Sequence, residues 1–227
     1  MKIGAIVQAR MSSQRFPGKV LHRIAGKPML QYLLERLNRS DCLDAIVVAT
    51  STNKSDAPIA DFCQERGVAC YQGSLLNVAS RFNEILDLYG FDGFVRISGD
   101  SPLLDQRLIE RALEIFLQND FDLVTNVLKR TYPKGQSIEL LRRETFQAAY
   151  KQMAEDLEFE HVTKYFYKNQ NHFKIFNFES GYHYGKIQFS VDTPQDMERV
   201  ATIVAQMNRP HWAYTLDQIL QIYWNMA

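Results

Sequence analysis

Short apolar runs rich in β-branched residues alternate along this chain with segments whose apolar residues recur at helical spacing. KIGAIVQA (2–9) and DAIVVAT (44–50) read as strands buried on both faces, as a parallel sheet requires. GVACY (67–71), FDGFVRIS (91–98) and FDLVTN (121–126) are further strand candidates. Between them, Leu30, Leu33, Leu34 and Leu37 share one helix face. So do Val78, Phe82, Ile85, Leu86 and Tyr89, and so do Leu108, Ile109, Ala112, Leu113 and Phe116. The alternation predicts an α/β fold: a mainly parallel, twisted sheet with helices on both faces.

After residue 127 the rhythm changes. QSIELLRR (136–143) and HFKIFNFES (172–180) read as peripheral or antiparallel strands. RETFQAAYKQM (143–153) and EFEHVTKYFYK (158–168) read as helices. KIQFSVD (186–192) returns to a strand, and a helix with Met197, Val200, Ala201 and Val204 on one face follows. The expectation is a single domain over 1–227 with an inserted lobe near 128–185. The length of 227 residues suits that size.

Composition narrows the function classes. Lys+Arg and Asp+Glu both number 26, and the absence of a basic excess argues against a general nucleic-acid binder. Cys42, Cys63 and Cys70 form no CxxC and no disulfide framework, which argues against a zinc site. The opening MKIGAIVQAR has too short an apolar core for a signal peptide, and no apolar run approaches the ~20 residues that span a bilayer. A soluble, cytoplasmic protein without membrane insertion is expected.

The first loop concentrates charge. QARMSSQRFPGKVL (8–21) leaves the first strand at its C-terminal end, where open α/β sheets bind ligands. Arg10, Arg15 and Lys19 can converge there on a polyphosphate, with backbone N–H groups near Ser12, Ser13 and Gly18. A solvated basic loop is the other reading. A Walker A loop is excluded: it needs Gly at 13 and Ser or Thr at 20, and the chain has Ser13 and Val20.

Two acids face this loop in the expected topology. Asp100 lies in the Gly-Asp-Ser-Pro turn after strand 91–98, and Asp192 ends strand 186–192. Thr193, Pro194 and Asp196 form a helix start with a capping box, which leaves Asp192 free for other work. Two carboxylates opposite a cationic loop suit Mg²⁺ held between protein and phosphates; a pair of ordinary turn-formers is the alternative. Arg130, Tyr132 and Lys134 sit where an insertion would cover the cleft.

IVQARMSSQRFPGKVL, RISGDSPLLD and VDTPQDMERV resemble the three signature segments of the sugar cytidylyltransferases, the acylneuraminate and 3-deoxy-octulosonate activating enzymes of nucleotide-diphospho-sugar transferase fold. The first matches their A-R-x-x-S-x-R-x-P-G-K-x-L pattern at every specified position. TYPKGQSIELL (131–141) and EFEHVTKYFYKN (158–169) are similar to segments of the spore-coat polysaccharide protein F branch. The resemblance implies transfer of CMP from CTP to an acidic sugar, with release of pyrophosphate, for surface polysaccharide synthesis. It implies Arg10, Ser12, Ser13, Arg15 and Lys19 on the phosphates, and Gln8, Ala9, Arg81 and Ser98 near the nucleoside. It implies Mg²⁺ on Asp100 and Asp192, with Arg15, Lys19 and both acids as the catalytic set. Tyr132, Lys134, Glu139 and His161 would meet the acceptor, and the chain would form a homodimer. SLLNVASRF (74–82) departs from that branch: where it carries S-E-D-D-V-L-x-R-Y, this chain has Leu75 and Leu76 for an acidic pair and keeps Arg81. Ser137 stands where the branch tends to carry Asp. A non-catalytic homologue, or one using another nucleotide, is the alternative.

Overall fold

β1 (Ile3–Gln8) is the buried strand its composition demands, with Ile3 and Val7 facing one core layer and Ile6 the other. The computed structural model describes residues 1–226. After the first loop, β2 (Arg23–Ile24) and β3 (Lys27–Pro28) make a two-residue antiparallel ribbon that leads into α1 (Met29–Leu37). Next come β4 (Ala45–Ser51), α2 (Ala57–Glu65), β5 (Ala69–Gly73), α3 (Val78–Tyr89), β6 (Gly93–Ser98) and α4 (Arg107–Gln118). β7 (Leu123–Thr125), β8 (Glu139–Arg142), α5 (Arg143–Tyr150), α6 (Asp156–Glu160), α7 (Lys164–Lys168) and β9 (Ile175–Asn177) follow. α8 (Pro194–Ala205) and α9 (Leu216–Asn225) complete the described chain.

The seven-stranded sheet runs β5-β4-β1-β6-β8-β7-β9, and only β8 is antiparallel to its neighbours. One apolar layer joins the sheet to α1, α4, α8 and α9; the other joins it to α3, α5 and the α6–α7 region. In the second layer Phe94 packs edge-on against Phe146 and tilted against Phe82, all three fully buried. Truncating Phe94 to Ala would cost about 3–5 kcal/mol, the usual range for a buried aromatic. Gly4 makes this layer possible, because a Cβ there would lie 2.2 Å from the Phe91 ring. Residues 128–185, read from the sequence as an inserted lobe, supply β8 and β9 to this sheet and α5 to α7 to one of its faces.

Two elements differ from expectation. Residues 186–192 form no strand: the segment makes one isolated parallel bridge, between Gln188 and Lys134, and no ladder. The turn closed by Gln136 N–H on Pro133 carries the chain away after that one residue, so no ladder extends. The helix expected over 158–168 is two helices, broken at His161–Thr163. Val162 is fully buried yet has φ +33°, a conformation that β-branched residues rarely adopt. Such strain persists only where the surrounding packing imposes it.

Candidate active site

The ammonium of Lys19 is the geometric centre of the site. Lys19 is 8 % exposed, and a buried ammonium is costly unless its protons are bonded. Its Nζ donates to Asp100 Oδ2 at 3.1 Å, Asp192 Oδ1 at 3.1 Å and the Val191 carbonyl at 2.6 Å. The two carboxylate oxygens therefore lie no further apart than twice 3.1 Å. Arg15 pairs with the same Asp192 oxygen at 3.0 Å from an exposed position. Arg10 reaches across to Glu160 at 3.1 Å.

Local structure fixes each partner. Gly18 takes a left-handed conformation (φ +72°) that ends the loop and starts the short helical turn Lys19–Leu21. Asp100 follows β6, and Ser101 Oγ donates to its Oδ1 at 3.1 Å. Thr193 caps α8 and Asp196 completes the capping box, as the sequence implied. Asp192 is thereby spared capping and accepts Gln188 Nε2 at 3.3 Å on its other oxygen. Although no strand delivers it, Asp192 is placed by the Val191 N–H bond to the Asp100 carbonyl, 2.9 Å.

Two cavities meet at this cluster. The first, 570 Å³, is lined by Gln8, Ala9, Arg10, Ser13, Arg15, Lys19, Arg81, Ser98, Asp100, His161 and Asp192, among others. Ser12 was expected here and is not; its side chain is exposed outside the cavity, because the loop turns at Met11–Ser13. Arg81 is 2 % exposed, donates to the Ala49 carbonyl at 3.1 Å, and leaves its buried Nε without a partner. Burial lowers its pKa to about 10, with Arg10 pushing the same way and Asp56 opposing.

The second cavity, 540 Å³, shares Ser98, Asp100 and His161 with the first. Lys134 and Glu139 line it as expected, joined by Arg96, Arg130, Ser137, Lys164 and Tyr167. Tyr132 does not. It is 3 % exposed, its hydroxyl accepts from Arg111 at 2.8 Å and its ring packs on Phe178, so it belongs to the core. His183 is exposed and lines neither cavity. The break at Val162 lets His161 face both cavities while Val162 itself stays in the apolar layer.

Sequence reasoning missed the polar network behind this second cavity. Arg96 donates from Nε to Gln8 Oε1 at 3.1 Å and pairs through Nη1 with Glu139. Tyr167 donates to the other Glu139 oxygen at 2.6 Å. Burial first, then the Glu139 charge, push the Tyr167 hydroxyl well above the usual tyrosine range. Burial lowers the Arg130 pKa, while Glu139 and Tyr167 oppose it. The signal was an arginine inside the apolar strand FVRIS.

An uncharacterized protein of Methanocaldococcus jannaschii is 38 % identical over 200 residues, covering 87 % of this chain and 81 % of that one. The spore coat polysaccharide biosynthesis protein SpsF of Bacillus subtilis is 28 % identical over 208 residues, covering 87 % and 84 %. A 3-deoxy-manno-octulosonate cytidylyltransferase of Syntrophobacter fumaroxidans is 39 % identical over 115 residues, 50 % of this chain and 46 % of that one. Among solved structures, a cytidylyltransferase from Leptospira borgpetersenii superposes with a TM-score of 0.95 at 26 % identity, covering 100 % of this chain and 95 % of the other. The cytidylyltransferase family model matches residues 4–222, and this chain belongs to that family.

Proposed function

We propose that the chain transfers CMP from CTP to a hydroxyl of an acidic sugar, releasing pyrophosphate, for surface polysaccharide or glycan synthesis. The observation that carries this reading is the Lys19 ammonium held between Asp100 and Asp192 where two cavities join. The first cavity takes the nucleotide: Arg10, Ser13, Arg15 and Lys19 meet its phosphates, and Gln8, Ala9, Arg81 and Ser98 the nucleoside. The second takes the acceptor, with Lys134, Glu139 and His161 on its wall. Arg130, Lys134 and Lys164 give that wall cations for a carboxylate. The 3-deoxy-manno-octulosonate and spore-coat relatives support an acidic sugar and a polysaccharide role.

The residues present fit Mg²⁺. That ion needs only one or two carboxylates when phosphate oxygens and waters supply the rest. Asp100 and Asp192 already share one cation, and among the described residues no cluster of three or more His, Cys, Asp or Glu offers a richer cage. When bound by this pair, Mg²⁺ would neutralise charge on the phosphates. In-line attack at the α-phosphorus is then a matter of positioning and charge. Lys19 and Arg15 stabilise the negative charge that builds on the departing pyrophosphate. The Glu139–Arg96–Gln8 chain of bonds holds the two binding surfaces in fixed register.

The test is pyrophosphate release from CTP and Mg²⁺ with a panel of acidic and neutral sugars, alongside thermal shifts for the four nucleoside triphosphates. Turnover with CTP and a 2-keto acid sugar supports the reading. A shift with another nucleotide reassigns the donor, and no shift with any favours the non-catalytic alternative, for which the altered 74–82 segment speaks. The reading includes a cytoplasmic homodimer, to be checked by sedimentation equilibrium and cell fractionation. Among the described residues no helix is long and apolar enough to cross a membrane.

A further inference from the structure

We propose that Asp56 is a positioning residue for the triphosphate, acting through the backbone of Met11; the inference rests on the nucleotide reading of the first cavity. Asp56 lies between β4 and α2, fully buried, and lines neither cavity. It stands at the N-cap of α2, where an aspartate ordinarily bonds its own helix. Here the side chain makes no capping bond. Its Oδ1 accepts the Met11 N–H at 2.7 Å and its Oδ2 accepts the Ser51 hydroxyl at 2.5 Å.

Met11 is the hub of the first loop. Its carbonyl accepts the N–H groups of both Ser13, at 3.0 Å, and Gly18, at 2.8 Å. The Met11 carbonyl thus closes the loop on itself, and Asp56 ties the N–H of the same residue to the end of β4. Arg15 lies within the closed loop, and Lys19 follows Gly18 directly. A buried carboxylate is retained only where its oxygens are bonded or its charge is balanced. The sequence offered no hint: Asp56 falls in STNKSDAPIA, which reads as an ordinary helix start.

The experiment compares binding of CTP, CMP and pyrophosphate to the wild type, Asp56→Ala and Asp56→Asn by titration calorimetry. Asp56→Ala should weaken CTP and pyrophosphate about tenfold, since small misplacements of a binding group are costly, and leave CMP within about twofold. Asp56→Asn keeps an acceptor for Met11 and should hold CTP within about threefold of wild type. Equal weakening of CTP and CMP, no weakening at all, or an Asn variant as poor as Ala would overturn the proposal. Should Asp56→Ala not fold, amide exchange in the wild type decides. The Met11 N–H is expected to exchange far more slowly than those of Gln14 and Arg15, and equally fast exchange refutes the anchor. Wild-type protein that binds pyrophosphate but not CTP would sink the cytidine reading alone, leaving the pyrophosphate comparison to judge Asp56.

Discussion

Around the first cavity, charges pair across the chain, with Arg10 and Arg15 reaching out from exposed positions. Arg10 reaches Glu160, Arg15 reaches Asp192, and Lys19 is shared by two aspartates. Around the second, the Glu139 carboxylate is buried and its partners are fixed, while Lys134 is exposed. Both Glu139 oxygens are taken, by Arg96 and by Tyr167, and Arg130 gives both terminal nitrogens to Ser137 Oγ at 3.1 Å. The first arrangement suits a ligand that brings its own negative charge: phosphates can replace the carboxylates on the exposed Arg10 and Arg15 at little cost, because pairs made by exposed side chains are worth little. The second suits shape selection, since a buried network that is fully bonded resists rearrangement. The exposed arginines of the proposed donor site can therefore exchange partners, whereas the Glu139 network of the proposed acceptor site keeps its own.

The largest expected effect tests the buried ammonium of the first cavity. Lys19→Ala should lower kcat/KM for CTP by about 10²–10³, the range for deleting one group aimed at developing charge. Steady-state pyrophosphate release measures it; a loss below tenfold would mean that Lys19 only bridges the two aspartates. Next comes the joint between the two regions. Gly135 has φ +93°, and a Cβ there would sit 2.5 Å from the Ser190 nitrogen, two residues before Asp192. Gly135→Ala should cost about 1–3 kcal/mol in backbone strain alone and move Asp192, lowering both Tm and kcat. Wild-type kcat in a destabilised variant would show that Asp192 is held from the α8 side instead.

A narrower effect separates the cavities. Arg130→Ala should raise the acceptor KM about tenfold, as expected for losing a charge-assisted hydrogen bond, and leave the CTP KM unchanged. Parallel rises in both constants would place Arg130 in the shared network rather than at the acceptor.

Legibility followed the same division. The first cavity is made of residues close in sequence to strand ends. Loop charge, Asp100 and the capping box at Thr193 could therefore be read from pattern, and the parallel sheet from its apolar runs. The second cavity depends on pairings between distant positions: Arg96 with Glu139, Tyr167 with Thr125. Periodicity does not encode which buried polar groups meet. The break at Val162 was illegible for a related reason. EFEHVTKYFYK has helical spacing throughout, and tertiary packing of Val162 and Phe166 into the apolar layer overrides it. Tyr132 was misread because a tyrosine in a loop between charges looks exposed, whereas its ring and hydroxyl both find partners in the core. The strand expected over 186–192 failed since its apolar alternation faces a turn, not a ladder.

The smallest effect concerns an exposed pair at the first cavity. Arg10 and Glu160 are 44 % and 38 % exposed in their side chains, so their pair should add little stability. Its effect on binding has the opposite sign. Glu160 competes with phosphate for Arg10, and Glu160→Gln removes the competing charge while keeping the side chain's volume. Tm should hardly move, and CTP should bind about twofold tighter, the equivalent of a surface pair worth about 0.4 kcal/mol. The gain should shrink as salt rises, since exposed charges are screened. Weaker CTP binding in Glu160→Gln would reverse the argument: Arg10 would then need Glu160 to aim it, and the first cavity would hold its partners as firmly as the second.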